Sequence, residues 1–238
     1  MAKFKLAVKI GLVTLYILLF AAVTAKLFFE KQFDAVQKYF GDDDKNQMSE
    51  LIIGFPESAV SLNPFANDVS SRARLLHVYE SLLRVDKNLK IEPALAISYG
   101  SLDNLTWEFR LRPQVFFHNG KELTIDDIIF SLKKSVSTIE SMQKISDEIL
   151  HIKTYSPDPL LPSKLAQFFI FSKDSQLEDL EKHPIGTGPY VFEKMDGGDM
   201  ELKRFEKYWG TLPAASNVTL KTIQSKPGKI ATLKNKEV

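Results

Sequence analysis

Two stretches constrain this chain more than anything else in it: FRLRPQVFFHNGKELTIDDIIFSLKK at residues 109–134, and HPIGTGPYVFEKMDGGDMELKRFEKYWG at residues 183–210. The first is a strand, a hairpin turn and a capped helix in direct succession. Residues 106–112 alternate, with Trp107, Phe109 and Leu111 on one face, as a half-buried strand requires. Asn119-Gly120 supplies the positive φ angles of a tight hairpin, and a turn-side hydrogen bond is the expected role of the adjacent His118. Thr124 followed by Asp127 is a capping-box pattern, and it places Ile125, Ile128, Ile129 and Leu132 toward the core. Acidic residues in a first helical turn are stabilised by the helix dipole, so the Asp126-Asp127 pair reads as helix chemistry, not catalysis.

In the second stretch, residues 186–189 turn tightly into a strand over 190–195, and Asp196-Gly197-Gly198-Asp199 sends the chain back through 200–205. This is not a phosphate-binding loop. No GK[ST] follows, and Pro189 would interrupt the helix that such loops feed. Lys203 and Arg204 on the return strand, with Tyr208-Trp209, complete a half-exposed sheet and its flanking contacts.

Upstream, residues 51–55 read as a short buried strand ended by Pro56. SLNPF at 61–65 is a turn, since Pro64 forces Asn63 out of helical geometry. A helix is expected over 69–83, capped by Asn67 or Asp68, with Val69, Ala73, Leu75, Leu76, Val78, Tyr79, Leu82 and Leu83 forming one broad apolar face. His77 beside that face reads as a satisfied histidine, because no second ligand stands at metal spacing. Three prolines make residues 155–162 an irregular connection. Residues 164–173 are apolar and buried, with helix or strand left open by their period.

With 238 residues, 44% hydrophobic and 26% charged, the chain can bury a sizeable core. A net charge of +1 without a basic stripe gives no footprint for nucleic acid as a partner. The absence of cysteine excludes disulfides, thiolate metal sites, a cysteine nucleophile and a lipoprotein's acylated cysteine. The N-terminus carries its own means of attachment. Lys3, Lys5 and Lys9 precede an uncharged run over 10–25, which reads as a signal peptide cut near Val23-Thr24-Ala25 or as a retained signal anchor over 7–29. The apolar stripe Leu27, Phe28, Phe29, Phe33, Val36, Tyr39, Phe40 continues at helical spacing and favours the anchor. On this division, residues 1–29 are a signal anchor or signal peptide, 30–50 an amphipathic and acidic linker, and 51–238 the exported globular domain. No H-E-x-x-H, G-x-S-x-G or Cys/His arrangement is present, and the histidines (His77, His118, His151, His183) are scattered. No catalytic residue, metal ligand or cofactor site is expected, and the chain does not read as an enzyme.

Several segments resemble, in order, the family 5 extracellular solute-binding proteins, the oligopeptide-, dipeptide- and nickel-binding components of ABC importers. They are SLNPF, VYESLLRVD at 78–86, EPALAISY at 92–99, WEFRLRPQVFFHNGKELTIDDIIFSLKK, PIGTGPYVF and RFEKYWG. The resemblance runs from about residue 51 to 238, with Tyr99 where the family usually has tryptophan and a short segment between 134 and 152. It implies an α/β fold of the type II periplasmic binding protein kind. It also implies a first lobe plus accessory subdomain, with the second lobe missing, behind the membrane helix already read from the N-terminal residues. Peptide or another small solute and an ABC permease are the partners the resemblance implies, on the extracytoplasmic face, and the membrane is a partner through the N-terminal helix. The segment matching the ligand-facing edge is Ser58-Ala59-Val60, whose backbone groups would pair with an extended ligand. Those residues can equally be the plain link into the SLNPF turn. A rival expectation is an anchored scaffold that kept the fold and lost the ligand.

Overall fold

The structure, a computed structural model, describes residues 49–133, 135–225 and 228. The expected leader, the linker up to residue 48 and the terminal LKNKEV lie outside the described residues. Among those described, no helix is long and apolar enough to cross a membrane.

The elements run β1 (Glu50–Phe55), α1 (Val69–Leu75), β2 (Leu83–Val85), β3 (Ile91–Pro93), β4 (Ala96–Ser101), β5 (Thr106–Leu111), α2 (Ile125–Lys133), β6 (Ile139–Lys144), β7 (Ile149–Thr154), α3 (Leu161–Leu165), α4 (Leu177–Lys182), β8 (Tyr190–Asp196), β9 (Asp199–Arg204) and β10 (Asn217–Thr222). They build two four-stranded sheets, ordered β1-β10-β9-β8 and β4-β5-β7-β6, and a two-stranded ribbon, β2-β3. The second sheet is antiparallel throughout. In the first, β1 and β10 are parallel neighbours, with Glu50 opposite Asn217 and Phe55 opposite Thr222. Parallel pairing needs a crossover, and here nearly the whole described chain is that crossover.

Each sheet has its own core. Phe109, Leu111, Phe117, Ile125, Ile128, Leu132, Leu150 and Ile152 bury one face of the second sheet against α2. Leu75, Val78, Tyr79, Phe169, Phe171, Met200, Leu202 and Leu220 do the same for the first. Ile185 packs against both clusters. The capping box forms as the sequence dictates: the Thr124 N–H and Oγ1 both donate to Asp127 Oδ2, at 2.9 and 2.6 Å. Gly120 (φ 82°), Gly197 (56°) and Gly198 (93°) take the left-handed conformations their turns demand. Asp68, one of the two expected caps, accepts from the Ser71 N–H at 2.8 Å.

The helix expected over 69–83 stops at Leu75. Tertiary backbone partners claim the next residues: His77 O accepts from Tyr190 N, Val78 O from Gly188 N, and Glu80 O from Ile170 N. A helix continuing there would have kept those carbonyls for itself. Of the expected apolar face, Leu75, Val78, Tyr79, Leu82 and Leu83 are buried, but Val69 and Leu76 are 84% and 59% exposed, and the polar Ser71 and Arg74 are buried in their place. Residues 155–162 are irregular only until Leu161, where α3 begins with Pro162 in its first turn, a position that tolerates the missing N–H. The apolar run 164–173 is neither helix nor strand through its length. It closes α3 and then runs extended and buried, Phe169 bridging to Ser81.

Candidate functional site

In open α/β sheets, ligands bind outside the carboxyl ends of parallel strands. Here that end is shared by β1 and β10. It gathers the loop 56–60, Thr222, and the β8–β9 hairpin tip. Thr222 Oγ1 donates to Gly198 O at 2.7 Å and accepts from Ser58 Oγ at 3.4 Å, while the Thr222 N–H donates to Asp199 Oδ1 at 2.6 Å. Gly198 has φ 93°, which favours glycine, and a Cβ there would also displace the Ser58 hydroxyl.

The three residues matched to a ligand-facing edge fall into different surroundings. Ser58 lies against Thr222 and Gly198. Val60 exposes 81% of its surface, but its N–H is already committed, donating to Ser71 Oγ at 2.9 Å beside a parallel bond from Ser61 N. No backbone hydrogen bond reaches Ala59 among the described residues. Ala59 and Val60 line an open groove of about 530 Å³, walled by residues 59–62, 181–183 and 192–195. The last of these belong to β8, an edge strand with no strand beyond it among the described residues. Lys182, His183, Glu193 and Lys194 place both signs of charge along the groove.

Two further polar clusters hold the scaffold, one centred on Glu80 and one on His118. Glu80 accepts from Trp209 Nε1 at 2.8 Å, Tyr208 Oη at 2.9 Å and Thr187 Oγ1 at 3.0 Å. Burial raises its carboxyl above the usual range, against the pull of those bonds and of Arg112. Arg112 lies over the Trp209 ring at 4.0 Å, which brings the cation close without a direct salt bridge. Tyr208 and Trp209, expected as flanking contacts of a half-exposed sheet, are therefore donors to one acid. A lone glutamate in the apolar run Val78-Tyr79-Glu80-Ser81-Leu82-Leu83 was the available signal.

His118 is the second cluster. Its N–H donates to Gly186 O at 2.9 Å, its ring Nε2 donates to Gly188 O at 2.9 Å, and Gly186 N lies 3.4 Å from Nδ1. The partner is thus the 186–189 turn across the fold, not the hairpin turn beside it. This fit needs a neutral ring with its proton on Nε2, and burial pushes the pKa down to about 4 from 6.5, partly offset by the Gly188 bond. The unfolded ring takes up a proton before the folded one does. Stability from this group is full above pH 6.5 and is lost as pH falls toward 4, by about 3 kcal/mol in all. Glu80, with its raised carboxyl, acts with the opposite sign. Urea unfolding at pH 7 and pH 4.5 should show a loss for the native protein that is clearly smaller in His118→Gln.

Among the described residues no three His, Asp or Glu side chains converge on a metal site. The bacterial extracellular solute-binding proteins, family 5 Middle, match residues 90–238. The chain belongs to that family. Among solved family 5 structures, the oligopeptide-binding protein AppA from Bacillus subtilis, in complex with a nonapeptide, superposes with a TM-score of 0.74 at 25% identity. The match covers 79% of this chain and 43% of that one. NikZ from Campylobacter jejuni, in complex with Ni(L-His), superposes with a TM-score of 0.72 at 25% identity over 80% of this chain and 42% of that one. A curated relative, the HTH-type transcriptional regulator SgrR of Pectobacterium atrosepticum, is 33% identical over 150 residues, 60% of this chain and 27% of the relative. The chain thus spans about a quarter of the length of the curated relatives it matches, and under half of the solved family 5 chains. The α/β fold is that of the lobes of such binding proteins, a family of extracytoplasmic solute binders.

Proposed function

We propose that this chain supplies one wall of the solute clamp in an ABC-type import system, taking an extended peptide or a similar small solute against the edge 59–62. The observation that supports it most directly is the groove between two backbone segments, 59–62 and the edge strand β8, beside the carboxyl ends of β1 and β10. Edge backbone gives main-chain hydrogen bonds that tolerate varied side chains. Among the described residues the backbone groups of Ser58 and Ala59 make no hydrogen bond, while the Val60 N–H is taken by Ser71 Oγ. An ABC permease is the partner of the loaded clamp, with attachment to the membrane through residues 7–29.

A second reading, an interaction module without transport, is supported by the regulators among the relatives. Titrating isotope-labelled residues 46–238 with a mixed pool of short peptides separates the two. The clamp reading expects amide shifts confined to 59–62 and 192–195 at millimolar peptide, weak because a single wall leaves much of the ligand in water. Unmoved amides at that concentration would overturn it in favour of the interaction module.

A further inference from the structure

The side chain of Arg74 is fully buried on α1. Burying a guanidinium is costly unless it is paired and hydrogen-bonded, yet among the described residues no carboxylate reaches it at ion-pair distance. Asp68 and Asp199 act on it only from farther away. Among the described residues its Nε has no hydrogen-bond partner. An apolar side chain of similar length would fill this space without that cost, so the acceptors the guanidinium does reach are what explain it. They belong to three different segments. Nη2 donates to Glu57 O at 2.6 Å and to Thr222 Oγ1 at 3.1 Å, and Nη1 donates to Ser70 O at 3.1 Å. The guanidinium also lies 4.4 Å from the Phe55 ring centroid. Through Thr222 the same network continues to Gly198 at the hairpin tip and to Ser58.

We propose that Arg74 is the positioning residue of the ligand-facing edge, its planar fork setting where residues 57–60 lie relative to the end of β10 and the β8–β9 hairpin. A fork can hold several acceptors in fixed directions at once, which a lysine's point charge cannot. Thr222 is the relay. Its hydroxyl accepts from Arg74 and donates to Gly198 O, so the strand end and the hairpin tip are fixed by one group. That this edge faces a ligand rests on the clamp reading above; that Arg74 fixes its geometry does not.

The test uses the full chain and the variants Arg74→Met, Arg74→Lys and Thr222→Val, followed by amide hydrogen exchange and by the peptide-pool titration. Arg74→Met and Arg74→Lys should both speed exchange at Val60, Ser61 and Thr222 by about tenfold or more, while amides of β5 and β7 keep their protection, since local opening need not involve the whole unit. Thr222→Val, a smaller change that keeps the fold's volume, should loosen the hairpin tip without freeing Val60. The peptide-induced shifts at 59–62 should shrink in Arg74→Met. Faster exchange spread evenly over both sheets, unchanged exchange at 60–61, or full protection in Arg74→Lys would overturn the proposal. A native chain that shows no peptide shifts overturns the clamp reading alone, and the exchange data still decide the role of Arg74.

Discussion

Gly186→Ala should destabilise the described unit by about 4 kcal/mol, at the upper end of single-residue effects, and lower its melting temperature by roughly 10 °C. The reason is contact with backbone, not with side chains. A Cβ at Gly186 would overlap Val78 O and lie 2.7 Å from the Val78 carbonyl carbon and 2.9 Å from Tyr79 Cα. No rotamer change relieves that. The two segments would have to separate, and the bonds from His118 N to Gly186 O and from Gly188 N to Val78 O would stretch with them. Gly100 is the matching control, since nothing lies within 4 Å of a Cβ built there. Gly100→Ala should leave the thermal midpoint nearly unchanged. Equal midpoints for the two variants would refute the account of the 186–189 turn as a backbone-to-backbone clasp.

Glu80→Ala should cost about 3–5 kcal/mol, since three buried or half-buried donors lose their acceptor at about 1–3 kcal/mol apiece. The Trp209 indole N–H, a donor only, is left with nothing to donate to. Glu80→Gln tests the mechanism more sharply. Its carbonyl oxygen can still take Trp209 and Thr187, and its amide can donate to the Tyr208 hydroxyl, which is free to reverse its role. The glutamine variant should therefore lose only about 1 kcal/mol, the usual scale of one hydrogen bond. Denaturant titrations at pH 7 that rank both variants alike would show that packing, not acceptor chemistry, holds this corner.

Local chemistry made much of the scaffold readable. The Thr124–Asp127 cap, the Asn119-Gly120 hairpin and the Asp196–Asp199 return depend on residues within a few positions of one another, and each forms, although Gly120 alone and not Asn119 takes the positive φ expected of that dipeptide. The overrun of the helix past Leu75 has the opposite cause. Residues 76–83 carry helical spacing, but their backbone partners, Gly188, Tyr190 and Ile170, lie about a hundred residues away. The candidate site suffers from the same distance effect. Its edge was placed by resemblance alone, and only the fold shows that the Val60 N–H is already taken by Ser71 while no backbone bond reaches Ala59.

The sequence by itself determined the family, through turns, caps and alternating strands whose physics is local. It also determined which chemistries are out of reach, since a chain without cysteine forms no thiolate site. Tertiary structure alone decided what the isolated polar residues do. Arg74 is unmarked in the sequence, Glu80 is a lone acid in an apolar run, and His118 suggests only a local turn. Once packing removes them from water, each must find partners from other segments or destabilise the fold. The Arg74 partners Glu57 and Thr222 meet because β1 pairs with β10 across nearly the whole described chain.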